Sequence, residues 1–153
     1  MSADAKATAS QLNSLIEICK DGQEGFKQAA EKVNCNELRA TLQECSRQRA
    51  EFAAALQGEV ARLGVTPEKD GSVTGSLHRG WINLKTALTS NEDKAIISEC
   101  ERGEDSAVEA YQDALKAELL PNVQNLVSRQ YQTVKATHDK IRDIRDSAKM
   151  QNS

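Results

Sequence analysis

The sequence contains four long stretches in which apolar residues recur every three or four positions, the spacing of one face of an α-helix. Short breaks join these stretches in pairs, at Asn34-Cys35-Asn36 and at residues 119–122, which contain Pro121. Helices joined by so few residues must run antiparallel and pack side by side. This pattern therefore restricts the chain to two helical hairpins.

The period and the breaks predict helices over residues 8–33, 37–63, 91–118 and 122–149. Asn36 is the predicted N-cap of the second helix, Gly64 is its C-cap, and Pro121 suits the start of the fourth helix. Residues 64–90 form a long crossover with a short amphipathic helix over 73–88, where Trp81 packs at an edge of the core. We expect an all-α chain that forms a single domain over residues 1–153. One long crossover between two hairpins is the connection order of ferritin-like four-helix bundles.

The charges of the chain argue against several classes of partner. The net charge is -3, and Lys and Arg alternate with Glu and Asp without a basic block, so no nucleic-acid partner is expected. No stretch approaches the roughly 20 apolar residues of a membrane span, and the first residues lack the apolar run of a signal peptide. We therefore expect a cytoplasmic protein.

The four cysteines show no CxxC spacing, which argues against a zinc or thioredoxin-like motif. Cys19, Cys45 and Cys100 fall on apolar helix faces and are expected to act as small hydrophobic residues. Cys35 falls in a predicted turn, so it is the candidate for a reactive thiol.

Each long stretch carries one polar residue inside its apolar stripe. Gln23 and Arg49 lie at similar distances from the first turn, and Glu104 and His138 do so for the second turn. If the two levels coincide, these four residues form a polar layer across the core, with Arg49 paired to Glu104. The alternative is that some of these side chains lie at the stripe edge and reach solvent, as Arg does by snorkelling.

Three segments carry a resemblance over nearly the whole chain: residues 12–17 (LNSLIE), 77–81 (LHRGW) and 99–105 (ECERGED). In these the chain resembles a ferritin-like bacterial family of unknown function. The resemblance implies the bundle fold and brings no activity. Di-iron proteins of the wider ferritin-like superfamily need a Glu from each of two helices and Glu-x-x-His from each of the other two.

This chain departs from that ligand pattern. Its two histidines, His78 and His138, follow Gly75 and Lys135 at the required spacing, so Glu-x-x-His is absent. The remaining candidate metal ligands are scattered, and an Arg beside them would repel a cation. They are Glu44, Glu101, Glu104 and His138.

We therefore expect no resident cofactor and no catalytic residue. The preferred hypothesis is a non-enzymatic ferritin-like bundle with a degenerate metal centre, acting as a stress-associated binding or structural protein. One alternative is a divergent di-metal carboxylate oxidase or a peroxide- or iron-handling protein, with a single metal at Glu104 and His138 as a lesser form. Another is an interaction module that forms homo-oligomers through the crossover helix around Trp81, and the sequence names no other protein partner.

Overall fold

A computed structural model describes residues 5–64 and 81–147. Five helices occur in these two ranges, and no strand is found there, which confirms the predicted all-α class. The helices are α1 (Ala5–Lys32), α2 (Asn36–Arg62), α3 (Leu84–Thr89), α4 (Asp93–Lys116) and α5 (Pro121–Asp146). None of the helices described is both long enough and apolar enough to span a bilayer.

The four long helices pack as two pairs that share an interface. α1 lies along α2, α4 lies along α5, and α1 also packs against α4. α2 and α5 touch at few points. Between them lies a groove of about 640 Å³ whose wall includes Cys35, Leu38 and Ile144.

The helix ends follow the sequence signals in part. Gly64 has φ 78°, a left-handed conformation that Gly adopts without steric penalty, and Pro121 occupies the first turn of α5. The predicted N-cap Asn36 is wrong, because Cys35 holds the extended N-cap position and Asn36 is already helical. The Asn36 side chain instead accepts a hydrogen bond from Arg39 Nη1 at 2.8 Å.

The crossover helix is shorter than predicted in its described part. It begins at Leu84 after a turn over residues 81–83, so the predicted continuous helix through Trp81 is wrong there. The earlier part of the predicted segment, from Val73, lies outside the described residues.

A long-range contact joins the first hairpin turn to the start of α4. The Asp93 carboxylate accepts hydrogen bonds from the backbone N–H groups of Asn34 and Cys35, at 2.8 and 3.0 Å. These N–H groups lie where α1 ends and α2 begins, so Asp93 supplies an acceptor to backbone donors at the helix ends. Asp93 is buried, and this contact fixes the hairpin turn against α4.

Candidate functional site

An ion pair lies in the centre of the molecule. Arg49 on α2 donates from Nη1 and Nη2 to the two carboxylate oxygens of Glu104 on α4, at 2.6 and 2.7 Å. The side chains are 1% and 0% exposed. Two parallel charge-assisted bonds are the strongest arrangement available to these groups, and they engage both oxygens of the carboxylate.

The surroundings of Arg49 keep it charged. Burial opposes the charge, but the Glu104 carboxylate outweighs that effect, so the pKa of Arg49 lies above its ordinary range. The guanidinium carbon also lies 5.6 Å from the centre of the Phe26 ring, within the range of a cation–π contact. Gly22 on α1 faces the arginine stem, and a Cβ there would lie 3.3 Å from Arg49 Cγ.

The ion pair separates two apolar clusters. One cluster contains Cys19, Ala53, Ala107 and Val134, and the other contains Phe26, Cys45, Cys100 and Ile141. On every long helix the change from one cluster to the other falls at the same depth. Arg49 and Glu104 thus lie at one level between the two clusters, which is called the polar level below.

The membership of that level differs from the predicted four residues. Gln23 is half-buried, and its backbone carbonyl accepts a hydrogen bond from Ser46 Oγ at 2.8 Å. On α5 the buried position belongs to Thr137, whose hydroxyl bonds to Gln48 Oε1 at 3.4 Å. His138 lies about 100° further round the helix, so its ring faces the α4–α5 edge and not the ion pair.

Trp81 is held in a slot between α1 and α4. An added Cβ at Gly25 would lie 2.5 Å from the indole, and one at Gly103 would lie 2.1 Å from it. Both contacts are impossible for a real Cβ, so the two glycines create the slot. The indole also meets Phe26 edge to face, with ring centroids 5.2 Å apart. Trp81 is 4% exposed, which places it inside the core and makes it unsuited as a surface anchor for self-association.

A hydrogen-bonded chain of buried groups lies on the other side of the ion pair. Tyr111 donates its O–H to Gln130 Oε1 at 2.6 Å, and Gln130 Nε2 donates to the Phe52 carbonyl at 3.4 Å. Cys19 Sγ lies 3.2 Å from the Tyr111 oxygen. Because the tyrosine hydrogen is used on Gln130, the Cys19 thiol is the donor in that contact.

The buried thiols are held in their neutral form. Burial raises the pKa of Cys19 to about 11 and that of Cys45 to about 12, and burial raises the pKa of Cys100 as well. Thiolates are the reactive species, so these three groups are poor nucleophiles. Cys35 is half-buried and lines the groove between α2 and α5.

The predicted metal candidates do not converge. Glu44 is exposed and pairs with Arg47, and Glu104 is occupied by Arg49. Glu101 and His138 do come together, but with Asp105, a residue that the sequence reasoning did not select. The predicted metal pair of Glu104 with His138 is therefore wrong.

The residues of the centre do not fit a di-metal carboxylate site. Such a site needs carboxylates and imidazoles that bridge and neutralise two cations. Here a guanidinium already neutralises the buried carboxylate, and Thr137 fills the inward position on α5. A metal at this level would have to displace Arg49 and leave its charge buried, which is costly.

Two groups of important residues were missed in the sequence. Gly22, Gly25 and Gly103 lie inside helices, where Gly costs about 1 kcal/mol relative to Ala, so each needs a packing reason. That penalty was the available signal. Thr137 was detectable as the residue three after Val134 and four before Ile141.

Comparison with known proteins gives a family without an assigned role. The model of a family described as Domain of unknown function (DUF2383) matches residues 7–117. No curated protein gives a significant match.

Proposed function

The chain belongs to the family described as Domain of unknown function (DUF2383), and we propose that it is a non-enzymatic ferritin-like bundle with a structural or binding role. In this proposal the buried charge at its centre is neutralised by the chain's own side chains. The buried ion pair of Arg49 with Glu104 carries this proposal. The pair joins two facing helices in the interior of the molecule, and facing helices of a bundle core are where di-iron members of the superfamily build their metal sites.

The connections between helices support the ferritin-like part of the proposal. The long helices form two pairs, α1 with α2 and α4 with α5, and a short turn joins the two helices of each pair. The link from α2 to α4 is long and contains α3. This order is the one that distinguishes ferritin-like bundles from simple up-and-down bundles.

The electrostatics support the non-enzymatic part. A redox metal centre needs carboxylate oxygens with available lone pairs, and both Glu104 oxygens already accept short hydrogen bonds from Arg49. The nearby thiols of Cys19 and Cys45 have raised pKa values and offer no thiolate nucleophile near neutral pH. The polar level thus serves to align the helices, as buried polar groups do where they set register.

Metal analysis of the full chain tests this proposal against the di-metal oxidase alternative. The protein is purified without chelator, exposed to Fe²⁺ without oxygen, desalted, and analysed for iron and manganese per chain. We expect no paired metal in the interior, and no oxygen or peroxide consumption that depends on Glu104. Two metals per chain that are lost in Glu104→Ala but retained in His138→Gln would overturn the proposal.

The other expectations, cytoplasmic location, a stress-associated role and the lack of a nucleic-acid partner, stay predictions. Self-association also stays a prediction, but Trp81 is no longer its suggested anchor. Ile82, the neighbouring residue, is 67% exposed and is the large apolar side chain most open to solvent among the described residues.

A further inference from the structure

Three metal-ligating side chains meet at the edge between α4 and α5. Glu101 and Asp105 lie four residues apart on α4, so they share one helix face, and His138 reaches them from α5. One ligand atom from each lies within 4.8 Å of the others. We propose that Glu101, Asp105 and His138 bind one divalent transition cation such as Zn²⁺, at a site separate from the bundle interior.

The donor set suits such a cation. An imidazole nitrogen with two carboxylate oxygens is a combination that Zn²⁺ accepts, with bonds of about 2.0–2.2 Å. Tetrahedral ligands at those bond lengths are about 3.3–3.6 Å apart. His138 Nε2 and Asp105 Oδ1 are now 2.6 Å apart, as hydrogen-bonded partners are. A cation therefore requires these two atoms to move apart by about 1 Å, and three protein ligands leave a position for water.

The orientation of the imidazole is an independent observation in favour of the site. His138 Nδ1 lies 3.2 Å from Asp139 Oδ1, on the side of the ring away from Asp105. A carboxylate on the second ring nitrogen is the usual support of a metal-binding histidine, because it sets the tautomer and aims the other nitrogen. The His138 side chain is only 19% exposed, so the helix surface also restrains the ring.

Arg145 is the competitor for this site. Its Nη1 pairs with Glu101 Oε1, while its Nη2 and Nε donate to Asp146, at 2.9 and 3.1 Å. The Glu101 carboxylate therefore already binds a cationic side chain at this edge. A bound metal would displace one bond of Arg145, and the guanidinium would keep its partner on α5. Removing Arg145 should therefore tighten metal binding, whereas a purely structural cluster would only lose stability.

The test is calorimetric titration of Zn²⁺ into the full chain and its variants. We expect one site with micromolar affinity, a loss of at least about tenfold in His138→Gln, and tighter binding in Arg145→Gln. Two matched controls should leave the affinity unchanged: His78→Gln, which removes the other histidine, and Cys35→Ser, which removes the half-buried thiol.

A second measurement separates ligation from adventitious binding. Co²⁺ in place of Zn²⁺ should give visible absorption bands typical of a low-coordinate site, and these bands should vanish in His138→Gln and Asp105→Asn. Circular dichroism checks that the variants fold. Millimolar binding to the unaltered chain, equal binding in His138→Gln, or a loss seen only in Cys35→Ser would overturn the proposal. None of these outcomes depends on Glu104, so this inference and the proposed function can fail separately.

Discussion

The central ion pair gives a sharp prediction about stability. We expect Arg49→Met to destabilise the protein strongly, Arg49→Ala to destabilise it more, and Arg49→Met combined with Glu104→Gln to recover much of the loss. Either single change strands the Glu104 carboxylate in a site that is 0% exposed. The double change removes that stranded charge.

The magnitude follows from the contacts. Breaking a fully buried pair from one side costs about 3–5 kcal/mol, because an uncompensated charge remains. Methionine keeps most of the volume of the arginine stem beside Gly22, whereas alanine leaves a cavity there. Truncating a buried long side chain to Ala costs about 2–5 kcal/mol, so Arg49→Ala should exceed Arg49→Met by about 2 kcal/mol. The double variant should be about 2–3 kcal/mol more stable than Arg49→Met, because it no longer contains the stranded carboxylate.

The assay is urea unfolding followed by far-ultraviolet circular dichroism, with the free energy of unfolding compared across the four proteins. Arg47→Met is the matched control, since Arg47 lies on the same helix but is 57% exposed, and its solvent-screened ion pairs should contribute little to stability. Equal and small losses for Arg49→Met, Arg49→Ala and Arg47→Met would refute the reasoning. A double variant no more stable than Arg49→Met would refute the claim that the unpaired Glu104 charge causes the loss of stability.

Three further predictions rest on other contacts. Gly103→Ala should lower the free energy of unfolding by at least about 2 kcal/mol and redshift the tryptophan emission, because its Cβ would lie 2.1 Å from the indole. Gly58→Ala is the control: its Cβ would have nothing within 4 Å, so it should raise the free energy of unfolding by about 0.5–1 kcal/mol. Asp93→Ala should lower the free energy of unfolding by about 1–3 kcal/mol, because it removes the buried carboxylate that accepts hydrogen bonds from two backbone N–H groups of the turn. Near neutral pH a thiol reagent should modify Cys35 alone, because Cys19, Cys45 and Cys100 are buried and burial also raises the pKa of each of these thiols.

Each of these predictions has a control variant or a result that would contradict it. Asp113→Ala changes an exposed carboxylate on the same helix as Asp93 and should alter stability by less than about 0.5 kcal/mol. Labelling that persists in Cys35→Ser under native conditions would contradict the burial of the other thiols. Unchanged emission and stability in Gly103→Ala would contradict the slot between α1 and α4.

The helical class and the hairpins are local properties, so they could be predicted from the chain. Apolar spacing, the short breaks and Pro121 report on residues within a few positions of one another. Arg49 and Glu104 could also be placed, because each is the charged residue well inside its stripe and each lies at a countable distance from a turn. That Arg49 and Glu104 meet is seen only in the structure, where two short hydrogen bonds join them.

The contacts that the sequence pattern could not predict depend on how each helix is rotated about its axis and on which distant segments pack against it. His138 and Thr137 are neighbours in sequence, and only the rotation of α5 puts Thr137 inside and His138 beside Asp105. Trp81 reaches its slot between glycines of two separate helices, and Asp93 bonds a turn 59 residues away. Helical periodicity is written into each segment, but such partners are chosen by packing between segments, and no local pattern encodes that.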